Sequence, residues 1–372
     1  MIDGDLASRQ GSPPPRLGRQ GRPPLRKGCS IEKPHSTHYN QVVKISEIGE
    51  FGLISLVRER TARQPGSEAT ILGIGDDAAA WRIGNEIVLA TTDTMVEGVH
   101  FLPGPADQLG WKAMAANLSD IAAMGGVPQM ALVSLALPPS TEVAWVEGLY
   151  DGMLAAAGEY GVALVGGDTV ASSQAVLTVT LLGRGQEAGR LLRRSAACPG
   201  DLLAVTGYLG NAEGGLRVLK GLAHPSDEAA SFLLAAHLHP RPRVAEGQSL
   251  VSLGVRAAID ISDGLLADAG HLCRESGVAA TLETALLPIH RHLRESFPQD
   301  YMRMAASGGE DYELLFAAPE AGVEQARQAL SIAVTVVGKV KGGPPGQVLL
   351  LGEDGSPVTL AELGWEHFRK GR

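Results

Sequence analysis

Acidic residues recur at one kind of position in this sequence, the end of an apolar run with Gly, Ser or Thr nearby. The set comprises Asp76, Asp77, Asp93, Asp168, Asp260 and Asp263. Ligands of open α/β sheets bind at strand ends. Carboxylates gathered there repel one another unless cations lie among them. Because hard cations such as Mg²⁺ prefer oxygen ligands, the pattern predicts a magnesium site.

Each of these residues also has a structural interpretation. Asp263, before "GLLADAG", fits a helix N-cap, and Asp168 fits a cap or turn. Asp120 lies near the C-terminal end of a predicted helix, where a carboxylate opposes the helix dipole at a cost of ~0.3–1 kcal/mol. Asn117 is on the same stripe. Asp120 is therefore either a solvated residue on an exposed face or a metal ligand.

Several carboxylates holding several Mg²⁺ ions indicate a highly anionic substrate, such as a nucleoside triphosphate, and thus phosphoryl transfer. "GIGDDA" formally matches a dinucleotide-binding fingerprint, with Asp93 twenty residues after Gly73. Two carboxylates at that point would repel a pyrophosphate, which argues against it. The sequence contains no G-x-x-x-x-G-K-[ST] phosphate loop.

Alternating strand and helix patterns must position these carboxylates. Apolar runs predict strands at "ATILGIG", "EIVLATTD", "MALVSLALP", "VALVGGD", "AVLTVTLLGR", "LLAVTG", "RAAIDIS", "AATLE", "YELLFAAP" and "AVTVVGKV". Helical spacing predicts helices at "GWKAMAANLSDIAAMGG", "TEVAWVEGLYDGMLAAAGEYG" and "DGLLADAGHLCRESG", from about 211, around 226–238 and near 319–331. The predicted fold class is therefore α/β, or α+β with mixed sheets.

The chain divides into three predicted parts. Residues 1–44 form a Pro-, Gly- and Arg-rich tail whose composition indicates disorder. Residues 45–190 and 191–372 form two domains, with the boundary in the turn-rich region around 186–200.

Composition narrows the class of protein further. The formal net charge is −9 over 372 residues, which disfavours nucleic-acid binding. Cys29, Cys198 and Cys273 are far apart and contain no C-x-x-C pair, so zinc or redox dithiol sites are not expected. No apolar stretch reaches the ~18 residues of a membrane helix, and no signal-peptide pattern opens the chain. We expect a cytoplasmic protein without a membrane partner.

An ordered set of motifs resembles the thiamine-monophosphate kinase family. The motifs are "GEFGLI", "GIGDD", "TTDTMVEGVHF", "NLSDIAAMGG", "VGGDT", "RSAACPGD", "DISDGL" and "SGGEDYELLF". The resemblance spans residues 47 to about 370. It implies a two-domain architecture like that of aminoimidazole ribonucleotide synthetase, with an N-terminal domain that dimerises and a C-terminal α/β domain. It also implies direct transfer of a phosphate from ATP to thiamine monophosphate, with Mg²⁺, in a homodimer.

The resemblance further implies roles for individual residues. The implied Mg²⁺ ligands are Asp77, Thr91, Thr92, Asp93, Asp120, Asp168, Asp260 and Asp263. The implied ATP contacts are Tyr150, Gly167, Asp168, Arg194 and Ser262, with Arg193 as an alternative to its neighbour. The implied contacts to thiamine monophosphate are His100, Glu310 and Trp365. Asp76 is expected to serve turn geometry or to support the ligands indirectly.

Two other functions remain compatible with the sequence. One is a different ATP-using enzyme of the same superfamily acting on another small phosphate. The other is a non-catalytic protein that binds Mg²⁺ and nucleotide, although retention of all eight implied ligands argues against it.

Overall fold

The structure is a computed structural model that describes residues 43–62, 69–186, 190–360, 364–365 and 367–368. The predicted tail, residues 1–44, lies outside the described residues except for its last two. A compact unit begins at Lys44 and contains two six-stranded sheets. Among the described helices, none combines the length and the apolar character needed to cross a bilayer.

The first sheet is mixed and comes from the N-terminal half. Its strands are β1 (Thr70–Leu72), β2 (Ala79–Ile83), β3 (Glu86–Val96), β4 (Val127–Leu137), β5 (Ala163–Ala171) and β6 (Val176–Arg184). Their order is β1-β2-β3-β6-β4-β5, and only β4 and β5 run parallel. Helices α1 (Ile45–Thr61), α2 (Ala106–Ala123) and α3 (Val143–Tyr160) accompany it.

The second sheet comes from the C-terminal half. Its strands are β7 (Leu202–Thr206), β8 (Ala257–Asp260), β9 (Ala279–Glu283), β10 (Leu314–Ala318), β11 (Val334–Lys341) and β12 (Val348–Leu351), in the order β12-β9-β11-β7-β10-β8. The helices of this half are α4 (Asn211–Leu219), α5 (Asp227–Leu238), α6 (Val244–Ser252), α7 (Leu265–Ser276), α8 (Arg291–Ser296), α9 (Tyr301–Ser307) and α10 (Glu320–Ala329). Short 3₁₀ turns occupy Arg194–Ala196 and Thr284–Leu286.

The mixed-sheet α/β fold class is confirmed, and each predicted strand and helix has a counterpart. The predicted strand at "ATILGIG" is shorter than expected because β1 ends at Leu72 and the chain then turns. The sequence patterns missed helices α1, α6, α8 and α9 and strands β2 and β12. The predicted domain boundary near residue 190 falls between β6 and β7.

Helix α2 is the element that connects the two sheets. It packs against β3 of the first sheet and β8 of the second, and 13 of its 18 residues are buried, so it lies inside the core. Its contact with α3 is very close, since a Cβ at Gly110 would lie 2.0 Å from the carbonyl oxygen of Leu149. Side chains of both halves, including Leu118 and Phe316, share one core. Polar residues on α2 can therefore reach ligands on either sheet.

Candidate active site

Three carboxylates from distant parts of the chain meet beside α2. Asp77 follows β1, Asp120 lies in the last turn of α2, and Asp260 ends β8. One oxygen from each lies within 4.8 Å of the other two. Asp260 is only 1% exposed, and Ser119 on α2 donates to its Oδ2 at 2.7 Å. These three carboxylates, the central cluster, are the closest grouping of predicted magnesium ligands.

Strand β3 adds polar groups to the central cluster. The Thr91 hydroxyl donates to Asp120, and the backbone N–H of Asp93 donates to Oδ1 of Asn117 at 3.2 Å. Asn117 is fully buried. The interpretation of Asp120 as a solvated residue on an exposed face is therefore wrong, because α2 carries it into the interior between the sheets.

Electrostatics of the central cluster favour the protonated carboxyl group. Burial raises the pKa of Asp260 to about 8, with Asp77 adding to the effect, and burial raises the pKa of Asp93 to about 6. Burial, then Asp93 and Asp260, raise the pKa of Asp120 well above its usual value. Oδ2 of Asp77 is buried and has no hydrogen-bond partner among the described residues. Unpaired anionic oxygens in this environment are what divalent cations satisfy, so the donor set fits Mg²⁺.

Arg194 and Asp76 lie beside the central cluster. The Arg194 guanidinium contacts Asp77, with Nε 3.0 Å from Oδ1. Asp76 accepts from the backbone N–H groups of Asp77 at 3.2 Å and Arg194 at 3.1 Å, so it organises the turn. Burial and Asp77 raise the pKa of Asp76 to about 7. The backbone of Arg193 pairs with Arg256 and Ala257. Of the two arginines, Arg194 is the one with a described contact to the central cluster.

The "DISDG" loop is held by a residue that the sequence reasoning missed. Oδ2 of Asp268 accepts from the backbone N–H groups of Ser262, Asp263 and Gly264 at 3.0–3.1 Å. Asp263, Asp268 and His271 form a second possible cation-binding group. The N-cap interpretation of Asp263 is wrong, because α7 begins after Gly264 and has no side-chain cap. The available signal was the second Asp five residues after the first, in the first turn of α7.

Two predicted magnesium ligands lie on the other face of the first sheet. Side chains alternate along β3, so Thr92 points away from α2, and its hydroxyl contacts Thr180 on β6 at 3.0 Å. Asp168 on β5 pairs with Ser134, which continues a row with Thr178 and Thr94 on that outer face. Asp168 is exposed and accepts from the N–H of Thr169 at 2.9 Å. Neither side chain joins the central cluster of the same chain.

Two predicted nucleotide contacts belong to the same region of the first domain. A Cβ on Gly167 would lie 1.7 Å from the carbonyl oxygen of Val133, so the close approach of β5 to β4 requires glycine there. Tyr150 is half-buried on α3 and packs against the core. Packing therefore accounts for the glycine at 167 and the tyrosine at 150, and the contact of these two residues with nucleotide stays a prediction.

The "GGEDYEL" segment brings Glu310 to the opposite end of α2. Nζ of Lys112 lies 2.7 Å from Oε1 of Glu310, and Nδ1 of His237 lies 3.4 Å from Oε2. The neighbouring acidic residues have structural roles. Asp311 accepts from backbone N–H groups at the start of α4, and Glu313 forms a two-pronged ion pair with Arg243 at 2.6 Å. Lys112 and His237 were not identified from the sequence.

His100 and Trp365 lie beside a third residue that was missed, His367. Nε2 of His100 is 3.4 Å from Nε2 of His367, and the rings of Trp365 and His367 pack edge to face at 5.9 Å. The backbone N–H of Trp365 donates to the carbonyl of Asp263 at 3.0 Å, next to the "DISDG" loop. Burial, then His367, lower the pKa of His100. Its ring is neutral at pH 7, and Nδ1 accepts from the N–H of Val96 at 3.0 Å, which leaves Nε2 to carry the proton.

Together these groups form a site with two chemically different ends. The central cluster offers anionic oxygens with one arginine, which suits cations bridging to a polyphosphate. The other end offers a carboxylate, a neutral imidazole and an indole, which suits a small molecule that carries both a cationic ring and a phosphate. The arrangement is suited to bringing two phosphate-bearing molecules together.

Comparison with protein families identifies two adjoining matches. The model described as AIR synthase related protein, N-terminal domain, matches residues 75–185, and the corresponding C-terminal domain model matches residues 198–350. Thiamine-monophosphate kinase of Escherichia coli K12 is 41% identical over 330 residues, covering 86% of this chain and 98% of that protein. The enzyme of the same name from Bacillus subtilis is 36% identical over 331 residues, with 86% and 99% coverage.

Solved structures of thiamine-monophosphate kinases are also similar to this chain. AaThiL in complex with AMPPCP and TMP superposes with a TM-score of 0.77 at 34% identity, covering 88% of this chain and 99% of that one. Thiamine monophosphate kinase from Aquifex aeolicus gives 0.73 at 33% identity, with 86% and 100% coverage. The hydrogenase maturation protein HypE in complex with ATP, at 21% identity and a TM-score of 0.63, shares the fold.

Proposed function

This chain belongs to the thiamine-monophosphate kinase family, and from that premise we propose that it transfers the terminal phosphate of ATP to thiamine monophosphate, giving thiamine diphosphate and ADP. The observation that supports this most directly is the pairing of the central cluster with the Glu310 end of the site along one helix, α2. A relative of the same fold, AaThiL, binds AMPPCP and TMP. As an ATP-using enzyme of small metabolites, it would act in the cytoplasm.

Asp77, Asp120 and Asp260, with Thr91 and Asp93 beside them, are the groups that would hold magnesium. When bound, Mg²⁺ supplies charge neutralisation between the carboxylates and the phosphate oxygens. Arg194 is placed to exchange one contact with Asp77 for a phosphate oxygen, because its guanidinium has several donors in one plane. These residues orient the terminal phosphate for in-line attack.

The other end of the site would bind thiamine monophosphate. The Glu310 carboxylate complements the positive charge of the thiazolium ring, and Trp365 offers a flat aromatic surface. His100 can donate from Nε2 to a phosphate oxygen, because its Nδ1 is engaged by Val96. A phosphate monoester is already nucleophilic near neutral pH, so no separate general base is required.

A homodimer would explain the position of Asp168. Asp168 and Thr92 are on the outer face of the first sheet, so as magnesium ligands their side chains would serve the site of a second copy. The same face exposes the apolar side chains of Met130 and Leu132, 48% and 39% exposed, which favours a protein partner over solvent. We infer that the second copy packs on this face.

A coupled assay of ADP release, with thiamine monophosphate and with Mg²⁺ or EDTA, tests the proposed function. Asp93→Ala and Asp168→Ala should each abolish turnover while the proteins remain folded by circular dichroism. Asp151→Ala, which removes an exposed carboxylate from α3, is the matched control and should retain turnover.

Three results would contradict parts of the proposal. Near-normal turnover of either variant would overturn its metal assignment. ADP release with a different small phosphate but not with thiamine monophosphate would indicate a sister enzyme. ATP binding without any transfer would indicate a non-catalytic role.

A further inference from the structure

Lys112 is a buried cation that the reaction described above does not use. It lies on α2, only 4% of its surface is exposed, and Nζ is 2.7 Å from Oε1 of Glu310. Burying an ammonium group costs several kcal/mol unless an anion compensates it. Among the described residues, Glu310 is the one carboxylate in ion-pair contact with Lys112. The two residues are separated by 198 positions in the chain, so only the tertiary fold brings them together.

His237 on α5 occupies the third corner of this group. Its Nε2 is 3.5 Å from Nζ of Lys112, and its Nδ1 is 3.4 Å from Oε2 of Glu310. Burial, with Lys112 next, lowers the pKa of His237 to about 4. The imidazole is therefore neutral at pH 7, and the group contains one positive and one negative charge. Lys112 therefore provides the positive charge that faces Glu310.

The backbone of Glu310 is held in a conformation that aims its side chain at this group. Its φ is +67°, in the left-handed region that costs of order 1–3 kcal/mol for a residue other than glycine. The N–H of Glu310 donates to the carbonyl of Ser262 at 2.8 Å, and Asp311 is tied to the start of α4. A Cβ at Gly309 would lie 2.5 Å from the same Ser262 carbonyl. The segment is strained, and neighbouring contacts hold it there.

The Glu310 carboxylate therefore stays ionised although it faces the interior. Burial raises the pKa of Glu310, and the adjacent Lys112 ammonium group more than reverses this, so the pKa lies below its ordinary value. The side chain remains 31% exposed, which leaves it open to a ligand. Without the ammonium group the same carboxyl would tend to take up a proton or turn towards solvent.

We propose that Lys112 is a positioning residue for recognition of the cationic ring of the substrate, acting through Glu310. It keeps the Glu310 carboxylate charged and turned towards the site, and it does not itself bind the phosphates. This inference rests on the proposed function, since a cationic ring is the feature of thiamine monophosphate that Glu310 would recognise.

The test is a double-mutant cycle with Lys112→Met, Glu310→Gln and the two combined. KM for thiamine monophosphate and KM for ATP are measured separately, and calorimetry measures the affinity for thiamine monophosphate without ATP. Lys112→Met should weaken binding of thiamine monophosphate by at least about tenfold and leave KM for ATP within about twofold. Lys112→Arg should recover part of the loss. Lys339→Met, an exposed lysine on β11, is the control and should change neither constant.

The combined variant distinguishes action through Glu310 from independent action. Because it removes both charges of the pair, it avoids the unpaired carboxylate that destabilises Lys112→Met. Equal KM values for the combined variant and Glu310→Gln alone would support the inference. A further tenfold loss in the combined variant, or a Lys112→Met protein with a lower melting temperature and unchanged KM, would overturn it. A wild-type chain that does not phosphorylate thiamine monophosphate would overturn both this inference and the proposed function.

Discussion

Replacing Asp260 by Asn should stabilise the metal-free protein while it removes activity. Asp260 is 1% exposed, and its nearest oxygens to Asp77 and Asp120 are within 4.8 Å. At that distance two carboxylates repel each other by about 3 kcal/mol if the effective dielectric constant is about 20. Arg194 offsets part of the charge of Asp77, so the repulsion that Asp260→Asn removes is smaller than this figure. We expect Asp260→Asn to gain about 1–3 kcal/mol in free energy of unfolding in EDTA at high pH.

The stability that Asp260→Asn gains over the wild-type protein should increase with pH. Burial and Asp77 raise the pKa of Asp260 from 3.8 to about 8, so the folded protein holds this proton more tightly than the unfolded chain does. The stability that the protonated group contributes is complete below the unfolded-state pKa and is lost as the pH rises through about 8. Asn has no proton to lose. The advantage of the variant should therefore be small at about pH 5 and largest at about pH 9.

In excess magnesium the wild-type protein should become more stable than Asp260→Asn. A cation that binds only the folded state stabilises it by about 2.7 kcal/mol at one hundred times its dissociation constant. The variant lacks one ligand and should gain less. Urea unfolding followed by circular dichroism, in EDTA and in excess MgCl₂, measures both effects, with Asp151→Asn as the exposed control. An Asp260→Asn protein that is less stable than wild type in EDTA at high pH, or that gains as much from MgCl₂, would refute the reasoning.

Two further variants test the supporting contacts. Asp268→Ala removes the acceptor of three backbone N–H groups in the "DISDG" loop. It should lower the free energy of unfolding in urea by about 2–4 kcal/mol and remove most of the turnover. A loss of turnover with unchanged stability would show that Asp268 does not hold the loop. Arg194→Met should raise KM for ATP by at least about tenfold, whereas Arg193→Met should have little effect. The reason is that, of the two guanidinium groups, only that of Arg194 has a described contact with Asp77. Equal effects of the two variants in a steady-state ATP titration would contradict this assignment.

The order of strands and helices was largely predictable from the sequence because it depends on local periodicity. Alternation along "EIVLATTD" gives β3, and the helical spacing of "WKAMAANLSDIAA" gives α2. The missed helices α8 and α9 have six and seven residues, too few for a periodic pattern to emerge. Local pattern also placed the acidic residues beside apolar runs. Asp93 and Asp168, however, lie inside their strands and not at the ends, because β3 continues to Val96 and β5 to Ala171.

The face on which each acidic residue lies depended on pairing between strands. Thr91 and Thr92 are adjacent in sequence and equally plausible as ligands, yet the pleat of β3 sends one to Asp120 and the other to Thr180. Asp168 resembles Asp260 in sequence, but its pairing with Ser134 places it on the outer face. A single sequence carries no record of which strands pair.

The sequence by itself determined that carboxylates follow apolar runs and that their chemistry favours cations and phosphates, because residue type and local spacing can be read directly from the chain. The tertiary structure alone decided which groups meet: Ser119 with Asp260, and Lys112 with Glu310. These pairs are 141 and 198 residues apart, and they form because α2 is packed against both sheets. Such contacts depend on how remote elements pack, and no local pattern encodes that packing.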